Sequence, residues 1–112
     1  MIQAGQKLPH GCFLTYPALF LDEKNCSPSH YNALDDPVIH YNILKLCLGS
    51  YVTKDFDALK DPFISPLVAS EELLERLPPI RIVTGSEDPL HDDNWRFLYR
   101  LKYFVNLFSF KI

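Results

Sequence analysis

One stretch decides the fold of this 112-residue chain: Leu77-Pro78-Pro79-Ile80-Arg81-Ile82-Val83-Thr84-Gly85-Ser86-Glu87-Asp88-Pro89-Leu90-His91-Asp92-Asp93. Residues 80–84 are rich in β-branched side chains and lie between prolines and a glycine, which predicts a short buried strand. Gly85 and Pro89 then bracket a turn that carries Asp88 just beyond that strand. In open α/β sheets, ligands and catalytic groups lie at the carboxyl ends of the strands. Asp88 is therefore a candidate catalytic acid, and the competing interpretation is that it caps a helix that begins at Pro89.

A second strand is predicted near the N-terminus. The run from Gly11 to Tyr16 is apolar, and Pro17 ends it. Because its apolar character is continuous rather than alternating, we expect a strand buried on both faces, as in a parallel sheet. Residues 22–36 are polar and rich in turn-forming residues, which predicts an excursion over the surface.

The first predicted helix begins at Asp36-Pro37, where the aspartate supplies the N-cap and the proline occupies the first helical position. Apolar residues recur at helical spacing beyond this point, and they predict one buried face. The members of this apolar stripe are Ile43, Leu44, Cys47, Leu48 and Tyr51. Residues 53–69 are predicted to form loops, because Asp61-Pro62 and Ser65-Pro66 disfavour helical backbone.

Two further helices flank the central strand. Ser70 is predicted to cap a short helix whose inward residues are Leu73, Leu74 and Leu77. Asp88-Pro89 is predicted to begin the last helix. Its apolar face comprises Leu90, Phe97, Leu98, Leu101, Phe104 and Val105. Residues 105–112 form either the end of this helix or a third strand. Strands that alternate with helices indicate an α/β fold with a mostly parallel sheet.

Charge and hydropathy exclude several classes of partner. The formal net charge is −3 and the eleven Lys and Arg residues are scattered, so no nucleic-acid site or anionic-membrane patch is predicted. The longest apolar stretch, Cys12 to Leu21, contains Pro17 and is too short to span a bilayer. The first residues contain no apolar segment typical of a secretory signal.

The cysteines and two of the histidines are expected to be structural. Cys12, Cys26 and Cys47 are odd in number and lack paired spacing, so we expect reduced thiols in a cytoplasmic protein rather than disulfides or a metal site. Cys12 and Cys47 fall in apolar patterns and are expected in the core. His30 and His40 lie in or beside the polar excursion and are expected to be solvated. No cofactor site is predicted.

Neighbours of Asp88 suggest alternative chemistry. His91 lies beside Asp92 and Asp93, which is compatible with a metal or acid–base site. The ordinary interpretation is that aspartates in the first turn of a helix complement its dipole. Glu87 could pair with Asp88 as two carboxylates, although adjacent residues in a turn seldom converge.

Several segments, taken in order over residues 9–103, resemble the hormone-sensitive lipase family of α/β-hydrolases, in its eukaryotic branch. They are Tyr16-Pro17-Ala18-Leu19, Ser27-Pro28-Ser29, Leu34-Asp35-Asp36-Pro37, Cys47-Leu48-Gly49-Ser50-Tyr51-Val52, Asp61-Pro62-Phe63-Ile64-Ser65-Pro66-Leu67, Leu77-Pro78-Pro79 and Asp88-Pro89-Leu90-His91-Asp92-Asp93. The resemblance implies a mostly parallel, eight-stranded sheet between helices and hydrolysis of carboxylic esters by a Ser-Asp-His triad. It implies that Asp88 is the triad acid. It also implies lipid esters such as acylglycerols as substrates, in the cytosol or at lipid-droplet surfaces.

The sequence departs from the family pattern in its other catalytic parts. It contains no Gly-x-Ser-x-Gly nucleophile elbow, since Ser50 and Ser86 follow a glycine but lack the second one. It also lacks a His-Gly-Gly-Gly oxyanion loop. None of its four histidines has the His-Gly-Phe context that the family places after the acid. Residues 1–112 are therefore interpreted as the C-terminal-middle portion of a lipase or esterase catalytic domain, inactive on its own. The alternatives are a non-catalytic pseudoenzyme or binding remnant, and a fragment with no independent function.

Overall fold

The computed structural model describes residues 2–22 and 24–104. Two strands and three α-helices follow one another with two 3₁₀ helices between them. In chain order they are β1 (Cys12–Thr15), the first 3₁₀ helix (Pro28–Leu34), α1 (Tyr41–Tyr51), the second 3₁₀ helix (Pro66–Val68), α2 (Glu71–Glu75), β2 (Ile80–Val83) and α3 (His91–Phe104).

The two strands pair in parallel, as the sequence predicts. Cys12 lies opposite Ile80 and Thr15 lies opposite Val83. The ladder continues past both ends of the strands, because Cys12 N donates to Pro79 O at 2.8 Å and Tyr16 N donates to Val83 O at 2.8 Å. Both strands therefore end at the same edge of the sheet, where the turn containing Asp88 begins.

The expectation that β1 is buried on both faces is wrong for the described part of the chain. Burial alternates along the strand, and Phe13 is 64% exposed. Leu14 points to the opposite face and packs against the core. The continuous apolar run therefore predicts a strand correctly but does not predict how many of its faces are covered.

The core lies between β2, α2, α3 and the second 3₁₀ helix. Its buried members are Leu19, Phe20, Leu67, Ala69, Leu74, Ile82, Phe97, Leu98 and Leu101. The inward residues predicted for α2 are confirmed, since Leu74 is fully buried and Leu73 and Leu77 pack against the core. The central residues of the predicted α3 face are likewise buried. The described part of the chain excludes the side chain of Phe104 and all of residues 105–112. Val105 and the alternative third strand at 105–112 therefore lie outside it.

The predicted start and buried face of α1 are wrong. The helix begins at Tyr41, after His40, whose Nδ1 accepts a hydrogen bond from Asn42 N at 3.3 Å. Asp36 instead closes a tight turn, because its Oδ1 accepts from Val38 N and Ile39 N at 2.7 Å each. Within the predicted apolar stripe, Leu48 is buried. The other four members are exposed or half-buried, and they are Ile43, Leu44, Cys47 and Tyr51. Helical spacing identifies residues that share a face but does not supply the surface that covers them.

The predicted surface excursion is also partly wrong. Its second half forms the first 3₁₀ helix, which packs against α3 and buries Ser29, His30 and Ala33. His30 is therefore not solvated as expected, whereas His40 is exposed. Cys47 is exposed rather than buried, and Cys12 is half-buried. None of the cysteines forms a disulfide within residues 2–22 and 24–104. Over the same residues, no helix is long and apolar enough to cross a membrane.

Candidate active site

Asp88 lies in the turn between β2 and α3. Its backbone N–H donates to Gly85 O at 3.3 Å, and its carbonyl accepts from His91 N at 3.0 Å, so residues 85–91 form two consecutive turns. Asp88 Oδ1 accepts from Leu90 N at 2.9 Å, as the capping interpretation predicts. The helix itself begins at His91, later than the predicted start. Asp88 is half-buried.

The second carboxylate oxygen of Asp88 is held by the end of β2. Thr84 Oγ1 donates to Asp88 Oδ2 at 3.0 Å. Thr84 Oγ1 in turn accepts from Asn94 Nδ2, on α3, at 3.3 Å, and Asn94 is fully buried. A Cβ atom built on Gly85 would lie 3.6 Å from the ring of Tyr16 and 4.0 Å from Asp88 Cβ. The acid therefore lies where the carboxyl ends of both strands meet, the position that the sequence predicts for it.

A buried polar cluster lies beside this turn and comprises Ser27, Ser29, His30 and Asp93, together with the half-buried Asp92. Ser29 N donates to Asp92 Oδ2 at 2.8 Å, and Asp92 N donates to Ser29 Oγ at 3.2 Å. The Ser29 hydroxyl donates to Pro89 O at 2.7 Å. Three hydrogen bonds thus join the first 3₁₀ helix to the residues that follow Asp88.

The deepest part of the buried polar cluster contains the three residue types of a hydrolase triad, Ser27, His30 and Asp93. Ser27 Oγ lies 2.8 Å from His30 Nδ1. These residues are 5%, 2% and 0% exposed, respectively. A nucleophile with so little exposure cannot reach an ester, so this trio supports the fold rather than acyl transfer.

Burial determines the electrostatics of Asp93. Loss of solvent raises the pKa of its carboxyl group above the ordinary value of 3.8, and the charges of His30 and Arg96 offset this effect only in part. Arg96 Nη1 lies 3.2 Å from Asp93 Oδ1. The guanidinium group of Arg96 also lies over the ring of Phe20, 5.5 Å from its centroid. Arg96 thus pairs with Asp93 within α3, and its contact with Phe20 reaches outside that helix.

The segment Ser27-Pro28-Ser29 contributes to the family resemblance, but the sequence did not predict that it forms part of the buried polar cluster. The available signal was Pro28 after Ser27, a typical start of a helical turn. That signal predicts a local element but not its contact with α3. The bonds between Ser29 and Asp92 join residues 63 positions apart.

The alternative chemistry considered for the neighbours of Asp88 finds no support in the geometry. His91 Nε2 accepts from Trp95 Nε1 at 2.7 Å, and the two rings meet edge to face. Within the described ranges, no three His, Cys, Asp or Glu side chains come together as metal ligands would. Glu87 is exposed, and the Asp88 carboxylate instead accepts from the Thr84 hydroxyl and from the backbone N–H of Leu90. No imidazole donates to that carboxylate in the part of the chain that the structure describes.

The serines considered as nucleophiles lie elsewhere. Ser50 is on exposed α1, where its hydroxyl donates to Leu46 O at 2.7 Å. Ser86 is an exposed residue of the turn. An apolar groove of about 440 Å³ is lined partly by Cys12 and Ile80, the first residues of β1 and β2. No residue from 84 to 90 lines that groove, so it is not a substrate pocket for Asp88.

Comparisons with known proteins identify the fold family of the chain. The model of a family described as having the alpha/beta hydrolase fold matches residues 1–107. Hormone-sensitive lipase of Ictidomys tridecemlineatus is 46% identical over 44 residues, which are 39% of this chain and 6% of the lipase. Hormone-sensitive lipase of Mus musculus is 43% identical over 44 residues, again 39% of this chain and 6% of the lipase.

Solved structures agree on the fold. Carboxyl esterase 2 of the mycorrhizal fungus Tuber melanosporum superposes with a TM-score of 0.75 and 24% identity, over 93% of this chain and 33% of the esterase. A mutant of the esterase rPPE superposes with a TM-score of 0.80 and 23% identity, over 98% of this chain and 33% of that protein. The chain thus spans a third of these esterases and a much smaller share of the lipases. It belongs to the alpha/beta hydrolase fold family, and within that family it is similar to hormone-sensitive lipase.

Proposed function

We propose that this chain is the acid-bearing portion of a serine carboxylic-ester hydrolase and that Asp88 is its triad acid. The proposal is supported above all by the position of Asp88 at the carboxyl end of β2, in a chain of the alpha/beta hydrolase fold family. The two bonds from Thr84 and Leu90 hold its carboxylate in a fixed direction. A carboxylate has about four acceptor sites, so capacity remains for an imidazole N–H.

The proposed chemistry assigns one role to each triad member. A serine attacks the ester carbonyl, and a histidine takes the serine proton and later returns it to the leaving alcohol. Asp88 accepts a hydrogen bond from the imidazole, which fixes its tautomer and stabilises the imidazolium that forms. We propose that the serine, the histidine and the oxyanion donors come from sequence outside these 112 residues. Residues 1–112 would then be the C-terminal-middle portion of the catalytic domain.

The proposed substrates are lipid esters such as acylglycerols. This choice rests on the similarity to hormone-sensitive lipase, whose name states a lipase activity. We propose a cytoplasmic protein that meets its substrate there or at lipid-droplet surfaces. No cofactor takes part in the proposed reaction.

Labelling with a fluorophosphonate probe tests the proposal. The probe forms a covalent adduct with an activated serine, and it is applied to the native gene product that contains this chain. We expect one labelled serine, in a Gly-x-Ser-x-Gly segment outside these 112 residues. The 112-residue chain alone should remain unlabelled and hydrolyse a short-chain aryl ester only at the background rate. A native gene product that takes no label and hydrolyses no ester would contradict the proposal and favour a non-catalytic binding protein.

A further inference from the structure

A short hydrogen-bonded chain reaches the Asp88 carboxylate from inside the protein. It starts at the fully buried amide of Asn94 on α3, passes through the hydroxyl of Thr84, and ends at Asp88 Oδ2. The two donor–acceptor distances are 3.3 Å and 3.0 Å. Thr84 directly follows Val83, the last residue of β2.

The direction of this chain follows from the chemistry of its members. An ionised carboxylate only accepts hydrogen bonds, and a threonine hydroxyl has a single proton to donate. The Thr84 proton therefore points to Asp88, and the hydroxyl oxygen is left to accept from the Asn94 amide. Donation by Asn94 also polarises the hydroxyl, which strengthens its bond to the carboxylate.

The hydrogen bond from Thr84 holds the carboxylate oxygen of Asp88 that the helix-capping bond from Leu90 leaves free. Leu90 N binds Oδ1, and Thr84 binds Oδ2, so the two oxygens of Asp88 are held from two different elements. One bond fixes the position of a carboxylate, whereas two bonds to different oxygens also fix the plane of the group. The lone pairs that remain free on the two oxygens are then held in fixed directions.

We propose that Thr84, directed by Asn94, is a positioning residue that sets the plane of the Asp88 carboxylate for its hydrogen bond to the catalytic imidazole. This inference rests on the proposed function, because it assumes that Asp88 is the triad acid. Thr84 touches neither the substrate nor the reacting atoms and acts only through Asp88.

The test compares variants of the native gene product in hydrolysis of a short-chain aryl ester. Thr84→Val keeps the shape of the side chain and removes the hydroxyl, and Thr84→Ala removes the same hydroxyl without adding a methyl group. Both are expected to lower kcat about tenfold with KM unchanged, since a small misorientation of a catalytic group costs rate rather than binding. Thr84→Ser retains the donor and should restore kcat.

A double variant separates positioning from general support of the fold. In the Asp88→Asn background there is no carboxylate to orient, so adding Thr84→Val should cause no further loss of kcat. A further tenfold loss in that background, or wild-type kcat in Thr84→Val alone, would overturn the positioning role. Wild-type kcat in Asp88→Asn would instead sink the proposed function itself, and the positioning role with it. The two failures are therefore distinguishable.

Discussion

At the scale of single residues, ionisation of the buried Asp93 carboxyl group lowers the stability of the fold. Burial raises the pKa of its carboxyl group above 3.8. A group whose pKa is higher in the folded state than in the unfolded chain binds its proton preferentially when folded. Its contribution to stability is therefore fully present below pH 3.8 and is lost as pH rises through the folded-state pKa. The gain in free energy of unfolding for Asp93→Asn, relative to the wild type, should increase as pH rises through this range.

Asp36 supplies a control of opposite sign. Backbone N–H groups of Ile39 and Val38 donate hydrogen bonds to the Asp36 carboxylate, and these bonds lower its pKa below 3.8. Its contribution to stability is present above pH 3.8 and is lost as pH falls through the folded-state pKa. Relative to the wild type, Asp36→Asn should therefore become less stable as pH rises. Denaturant titrations at several pH values measure how the stability difference between each variant and the wild type changes with pH. If both differences changed in the same direction, the opposite pKa shifts assigned to Asp93 and Asp36 would be contradicted.

Ser29 is the residue that ties the first 3₁₀ helix to the turn containing Asp88. Its buried hydroxyl bonds both Pro89 O and Asp92 N, so Ser29→Ala leaves one buried and one partly buried backbone group without that partner. We expect a loss of about 1–3 kcal/mol in the free energy of unfolding. Ser86→Ala, at an exposed position of the turn, should change that free energy by no more than about 0.5 kcal/mol. Equal effects of the two substitutions on chemical denaturation would show that the Ser29 bonds do not form.

At the scale of elements, α1 and α2 provide a matched comparison of leucines. Leu74 on α2 is fully buried, whereas Leu46 on α1 is 70% exposed. Leu74→Ala should lower the free energy of unfolding by about 2–5 kcal/mol, because it removes apolar contacts and leaves a cavity. Leu46→Ala should cost no more than about 0.5 kcal/mol. A comparable loss in both variants would mean that α1 is covered by a surface that the described residues do not provide.

The elements also separate what local sequence can predict from what it cannot. The strand before Asp88 and the inward face of α2 follow from β-branched runs, prolines and leucine spacing, all of which are local. The exposure of the apolar stripe on α1 could not be predicted in this way, because a stripe is buried only where another surface covers it. His30 was missed for the same reason, because its burial comes from contact between the first 3₁₀ helix and α3. The position of Asp88 was predictable because the end of a parallel strand is a local feature with a general function.

At the scale of the whole molecule, the chain carries one member of the proposed triad. Among the described residues, no serine or histidine side chain is bonded to Asp88, and the chain spans 33% of the esterases on which it superposes. Removal of any triad member leaves little of the rate. In the proposed function, these 112 residues supply the acid and the residues that orient it, and a longer protein carries the activity.

The most direct test of this account is the kcat of the native gene product for a short-chain aryl ester with Asp88→Asn. The substitution preserves shape but removes the charge that fixes the imidazole, so we expect a loss of about 10⁴-fold. Glu87→Gln, an adjacent and exposed carboxylate, is the matched control and should leave kcat unchanged. Wild-type kcat in Asp88→Asn, or an equal loss in Glu87→Gln, would contradict the assignment of Asp88 as the triad acid.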